Sequence, residues 1–232
     1  DLPIGPVLHV GAPYFSRRED MAMDEEAYSE ACAEELDRTI RAEGPDTVAA
    51  FIAEPMMSSG GMLPPPAGYW RRVQEVLRRH DVMLMVDEVV TGFGRLGAWF
   101  GSSLHGIDAD MVSVSKGLTS GYLPLAGTIV SERVWGILEE GSRRFGPFHH
   151  GFTYVAHPVC AAAAMANIDI LEREDLPGNA ARTGDRPMGP GGNRAANVLT
   201  VRPEQRPFGP TLEAVGTALA RESVDVTSKS SN

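Results

Sequence analysis

The sequence predicts an α/β fold, a mainly parallel sheet flanked by helices, and three observations predict it. Short, continuous apolar runs, TVAAFIA (47–53), VMLMV (82–86) and MVSV (111–114), have the composition of strands buried on both faces. Segments with helical spacing of apolar residues precede the first two runs, the alternation expected of a parallel sheet. Each run also delivers an ionisable residue at its end: Glu54, Asp87 and Lys116. In open α/β sheets, ligands bind beyond the carboxyl ends of the strands. The pattern that gives the fold therefore also gives a candidate site.

The elements follow in order. Residues 1–20 contain Pro3, Pro6, Gly11 and Pro13 and read as loop with at most one short strand. A helix is expected over 22–42. Ala27, Ala31, Leu36 and Ile40 recur at near-helical spacing, and Asp24, Glu25 and Glu26 favour its first turn. Gly44-Pro45 stops it. After the first strand and the loop SSGGMLPPPAG, a second helix is expected near 67–80, with Trp70, Val73 and Leu77 on one face. A fourth strand is read at about 125–131, LAGTIVS. From His157 to Leu171 the chain is Ala-rich and helical, with Pro158 in the first turn, where its missing N–H costs nothing. After about Leu176 the composition shifts to Gly, Pro and Arg. That divides the chain into 1–176 and a tail, 177–232, with one short helix at 212–222.

Composition bounds the function. Hydrophobic residues make up 43% and charged residues 22%, ordinary for a globular chain with a real core. A net charge of -10 argues against nucleic-acid or anionic-membrane partners, which need clustered Lys and Arg. No apolar run approaches the roughly 20 residues that span a bilayer. The two cysteines, Cys32 and Cys160, form no CxxC pair, so a reducing, cytoplasmic setting is expected.

The chemistry rests on three strand ends. A lysine amine is a nucleophile only when neutral, and burial at the end of an apolar strand would lower the pKa of Lys116. Such a lysine can form a Schiff base with an aldehyde, whereas an arbitrary lysine is far more often a surface lysine in a loop. Gly117 and Gly121 beside it leave backbone room for a ligand. Asp87 at the end of the neighbouring run needs a positive partner, and a protonated pyridine nitrogen is one. Taken alone, Asp87 is better explained as an N-cap or a metal-free ion pair. Glu54 orients a side chain or loop in the site, or caps the Ser58–Gly61 turn. Thr153 carries a hydroxyl suited to a phosphate oxygen. His149, His150 and His157 have no metal-ligand spacing, so no metal is expected. Gly92, Gly94 and Gly97 match the dinucleotide pattern GxGxxG. Asp87 and Glu88 intervene between strand and glycines, and no helix obviously opens at Gly97. The segment therefore reads as a Gly-rich loop near the site.

Taken together, AFIAEP (50–55), PPAGYWRRVQEVLRRHDVMLMVDEVVTGFGRLGAWFG (65–101), VSKGLTSGYLPLAG (114–127) and HGFTYVAHPVCAAAAMANIDILERE (150–174) resemble class III aminotransferases. The omega-aminotransferase branch with β-alanine:pyruvate-like enzymes is the nearest in flavour. The resemblance implies the large domain of a fold-type I pyridoxal-phosphate-dependent transferase, here incomplete. It implies pyridoxal 5′-phosphate as cofactor, held covalently by Lys116, with Asp87 on the pyridine nitrogen and Val89 against one ring face. Glu54 would stand behind these. Thr153 would reach the phosphate of the neighbouring subunit's cofactor in a homodimer with shared sites. An amine donor and a keto-acid acceptor would react in two halves with ping-pong kinetics. The resemblance fades between Leu176 and Gly184, and no family-like phosphate cradle precedes Glu54. The expectation is a truncated chain, with a tail read out of frame after Gly184 as one account of the composition change. A class III aminomutase or decarboxylase would use the same Lys/Asp pair, and a non-catalytic large-domain fragment is the reading of a different kind.

Overall fold

A computed structural model of the chain describes residues 7–148 and 151–184. Four strands form one sheet in the order β1-β2-β3-β4: β1 (Ala50–Ala53), β2 (Met83–Asp87), β3 (Met111–Val114) and β4 (Gly127–Val130). The first three run parallel, with Ala53 beside Val86 and Asp87 beside Ser113. β4 returns antiparallel, placing Val114 beside Gly127. The mainly parallel α/β expectation holds.

Helix α1 (Glu25–Glu43) starts where its cap dictates. The Asp24 carboxylate accepts from the N–H of Ala27 at 2.8 Å, and Glu25 and Glu26 occupy the first turn. Its buried stripe is Ser29, Ala33, Leu36 and Ile40, displaced from the predicted face at its N-terminal end. Ser29 tolerates burial because its hydroxyl donates to the carbonyl of Ala67 at 2.7 Å. Gly44 ends the helix, and Pro45–Thr47 follow as a 3-10 turn. The Thr47 hydroxyl donates to the last carbonyls of α1, which is why β1 begins at Ala50 and not at Thr47.

Helix α2 (Tyr69–Arg79) buries Trp70, Val73 and Leu77 as its spacing requires. It packs against α1 and against Leu84 and Val86 of β2, and these elements form the principal core. Burial of both sheet faces does not hold within this chain. Leu84 and Val86 are buried, whereas Met83, Met85 and Asp87, pointing the other way, are half-buried, and Ile52 of β1 is 57% exposed. Helices α1 and α2 serve one face, and the other stays partly open.

Three further helices were not anticipated: α3 (Gly101–His105), α4 (Glu132–Phe145) and α6 (Leu176–Gly184). Helix α5 (Pro158–Arg173) occupies the predicted Ala-rich segment, its ring-capped start provided by His157. Among the described residues of 7–20 there is a 3-10 turn, Phe15–Arg17, and no strand. The helix expected at 212–222 lies outside the described residues. No helix among the described residues is long and apolar enough to cross a membrane.

Candidate active site

The carboxyl ends of three parallel neighbours carry the candidate residues. Glu54 directly follows β1, Asp87 ends β2, and Lys116 lies two residues beyond the end of β3. The register that sets Asp87 beside Ser113 puts the carboxylate and the lysine segment on adjacent strands. Thr153 sits exposed in the turn before α5, and among the described residues no hydrogen bond ties it to the strand ends.

Asp87 accepts from the N–H of Val89 through Oδ1 at 2.9 Å, a short turn that fixes both residues. Its other oxygen has no hydrogen-bond partner, and neither Asp87 nor Lys116 is in an ion pair, among the described residues. Glu54 caps the following turn, as one of its two expected roles required: it accepts from the N–H of Ser58 at 3.0 Å and from the Ser58 hydroxyl. The indole of Trp70 donates to the carbonyl of Pro55 at 3.0 Å and fastens this loop to the core.

The burial expected for Lys116 is corrected. Lys116 is exposed because it lies beyond the end of β3 in a turn, and Asp87 is half-buried because it is out of phase with Leu84 and Val86, which α1 and α2 cover. What distinguishes Lys116 is its backbone. It opens a 3-10 turn, Lys116–Leu118, with φ of 36°, the left-handed region that non-glycine residues avoid. The surroundings hold it there. The Ser115 hydroxyl donates to the carbonyl of Leu125, and the buried Thr119 hydroxyl donates to that of Leu123 at 2.6 Å. The side-chain amide of Asn167, on α5, donates to the carbonyls of Gly117 at 2.9 Å and Leu118 at 3.1 Å. Gly117 does not leave room for a ligand. A Cβ there would stand 3.0 Å from Cβ of Phe93 and 3.2 Å from the carbonyl oxygen of Gly92, so the glycine admits the 92–93 loop.

That loop is organised by Glu88, which the sequence reading passed over. Its side chain is fully buried. It accepts from the Thr91 hydroxyl at 2.5 Å and from the N–H groups of Gly101 at 2.9 Å and Ser102 at 2.6 Å. One carboxylate thus satisfies the free amides at the start of α3 and closes the 89–100 segment on itself. The signal was available: Glu88 is in phase with the buried Leu84 and Val86, while Asp87 is out of phase. Nearby His105 is pushed to a lower pKa by burial, partly opposed by the Glu88 carboxylate. The glycines of GFGRLG serve packing. A Cβ at Gly97, where φ is 91°, would lie 2.9 Å from Cα of Ala181 in α6. The reading as a Gly-rich loop stands. His157 caps α5 through Nδ1, while His149 and His150 lie outside the described residues.

The family model for aminotransferase class-III matches residues 4–188. Diaminobutyrate–2-oxoglutarate transaminase of Halomonas elongata is 52% identical over 186 residues, covering 79% of this chain and 40% of that protein. Putrescine–pyruvate aminotransferase of Pseudomonas aeruginosa is 43% identical over 177 residues, covering 76% of this chain and 38% of its own length. The crystal structure of the omega transaminase from Pseudomonas jessenii in complex with PMP superposes with a TM-score of 0.76 at 42% identity, over 79% of this chain and 40% of that one. The chain thus spans about two fifths of the length of the relatives it matches. By this match over most of its residues, the chain belongs to the class III aminotransferase family.

Proposed function

We propose that this chain carries the cofactor-binding centre of a pyridoxal-5′-phosphate-dependent transaminase. It would move an amino group from a primary amine or ω-amino acid to a keto acid such as pyruvate. The observation that carries this reading is the pairing of an amine and a carboxylate at the carboxyl ends of adjacent parallel strands, neither engaged in an ion pair among the described residues. The donor set fits the group. A lysine amine suits the aldehyde, and a carboxylate with one uncommitted oxygen suits a pyridinium nitrogen. Composition supports it too. Lys116 and Lys229 are the only lysines, and every other member of the 21 Lys and Arg is arginine. A guanidinium cannot give up its proton in a protein, so only a lysine can supply a neutral amine.

Bound pyridoxal phosphate supplies an electron sink for a substrate carbanion. The chain's own residues would do the rest. Lys116 would hold the cofactor, then take the proton from the amine-bearing carbon of the donor and return it to C4′. Asp87 would keep the pyridine nitrogen protonated, with its orientation fixed by the bond from Val89. Val89 would lie against the ring. Glu54 would brace the Ser58 turn beside the site. Thr153 would bond a phosphate oxygen of a second subunit's cofactor. Exposed aromatics support a homodimer: Tyr122 is 85% exposed, Phe145 82% and Tyr154 83%, more apolar area than a solvated face needs. The donors named in the relatives, diaminobutyrate and putrescine, both carry a primary amine at a chain end, which favours that donor class.

Mixing the purified chain with pyridoxal phosphate and recording a visible spectrum tests the reading. The expected result is a protein-bound band that is absent in Lys116→Ala, fades with putrescine or diaminobutyrate, and returns with pyruvate or 2-oxoglutarate. A band of equal strength in wild type and Lys116→Ala overturns the assignment of Lys116, and no band in wild type overturns the reading altogether.

A further inference from the structure

We propose that Asn167 is a positioning residue that holds the lysine turn in its left-handed form, an inference that rests on the reading of Lys116 as the cofactor-binding amine. Helix α5 buries Cys160, Ala164 and Leu171 at a spacing of four and seven residues, and Asn167 falls in the same stripe. A polar side chain among apolar neighbours on a packed face calls for partners. Asn167 finds three. Its Nδ2 donates to the carbonyls of Gly117 and Leu118, and its Oδ1 accepts from the Ser120 hydroxyl at 2.7 Å. Every polar atom of the amide is committed to the five residues that begin with Lys116.

The placement matters because that turn stores strain. Lys116 and Ser120 both adopt positive φ, 36° and 50°, without being glycine. Such conformations persist only where the surroundings over-determine them. The Gly117 and Leu118 carbonyls define the turn's direction, so an anchor on them from a separate helix selects one direction for the lysine stem. Without it the competent backbone becomes one of several, and capture of an aldehyde by Lys116 falls with its population.

Asn167→Asp separates hydrogen bonding from packing. It keeps the volume but replaces the donating amide with an oxygen aimed at two carbonyl oxygens. The full chain, wild type and variant, is incubated with pyridoxal phosphate, treated with borohydride to fix the pyridoxyl group, digested, and read by mass spectrometry. Lys229 is the internal reference, since it is the only other lysine. The expected result is a ratio of Lys116 to Lys229 labelling about tenfold lower in Asn167→Asp than in wild type, the size expected from losing two hydrogen bonds. Ser120→Ala, which removes only the third bond at an exposed side chain, shifts the ratio the same way by about twofold to threefold. It also stands in if Asn167→Asp does not fold. A lower melting temperature with the wild-type ratio retained in the folded protein would reduce Asn167 to an ordinary packing contact and overturn the proposal. Wild type without preferential labelling of Lys116 would overturn instead the reading on which it rests.

Discussion

The two faces of the sheet are built on opposite principles. On one, α1 and α2 cover Leu84 and Val86, and Trp70, Val73, Leu36 and Ile40 leave almost no surface to solvent. On that side Gln74 bonds the carbonyl of Gly106 and the N–H of Asp108, and Asp37 gathers His80, Arg41 and Arg79. At the strand ends, the chain keeps an amine and a carboxylate oxygen without partners among the described residues, and a turn in a costly conformation. The difference teaches where stability and chemistry are separated. The covered face supplies rigidity, and the strand ends keep groups whose bonding is left for a ligand.

Breaking the covered face should have the largest effect. Trp70→Ala removes a side chain 3% exposed together with its bond to Pro55. It should cost about 3–5 kcal/mol in urea denaturation. Glu88→Ala tests the boundary between the faces. Orphaning the amides of Gly101 and Ser102 should cost about 3 kcal/mol by the same measurement, with hydrogen exchange rising first in 89–102. A melt unchanged by Glu88→Ala would mean the loop holds itself.

The strand ends should respond in the other direction. Lys116→Gly removes the amine and also the left-handed penalty, so it should be more stable than Lys116→Ala by about 1 kcal/mol in thermal melts while neither variant captures an aldehyde at position 116. Equal melting temperatures would show that the turn is not strained. The smallest effect concerns pH. The bond from His80, helped by Arg41 and Arg79, holds Asp37 below the usual carboxylate range. A depressed folded pKa adds stability above the unfolded value, near ~3.9, that is lost as pH falls through the folded one. Asp37→Asn should therefore flatten the acid limb of a stability-against-pH curve, by under about 1 kcal/mol. An unchanged slope between pH 5 and pH 2 would remove Asp37 from the acid response.

Much of the covered face was legible in the sequence, because apolar periodicity reports packing directly. β3 was read to the residue, and α2 and β2 to within two. What escaped lacked that signal. No residue of α4 is buried, so its apolar residues report no core contact, and its start is marked by the Ser131 cap. The antiparallel return of β4 is not encoded in an apolar run, which looks the same in either direction. Glu88 and Asn167 were missed for a related reason. Each is polar yet lies in phase with a buried stripe, and reading such residues as interruptions hides that they are the anchors. The exposure of Lys116 escaped because strand composition speaks of the complete sheet, while accessibility depends on what else covers it.

Among the described residues, β1 borders the sheet on one side, and it is a four-residue strand with no proline, bulge or charge along it. Its outer row of amides and carbonyls is a template that any extended peptide can match by backbone bonding alone. A handling consequence follows. Concentrated solutions of this chain should thicken through strand addition at Ala50–Ala53, a process that added salt will not prevent and a single lysine in place of Ile52 should slow.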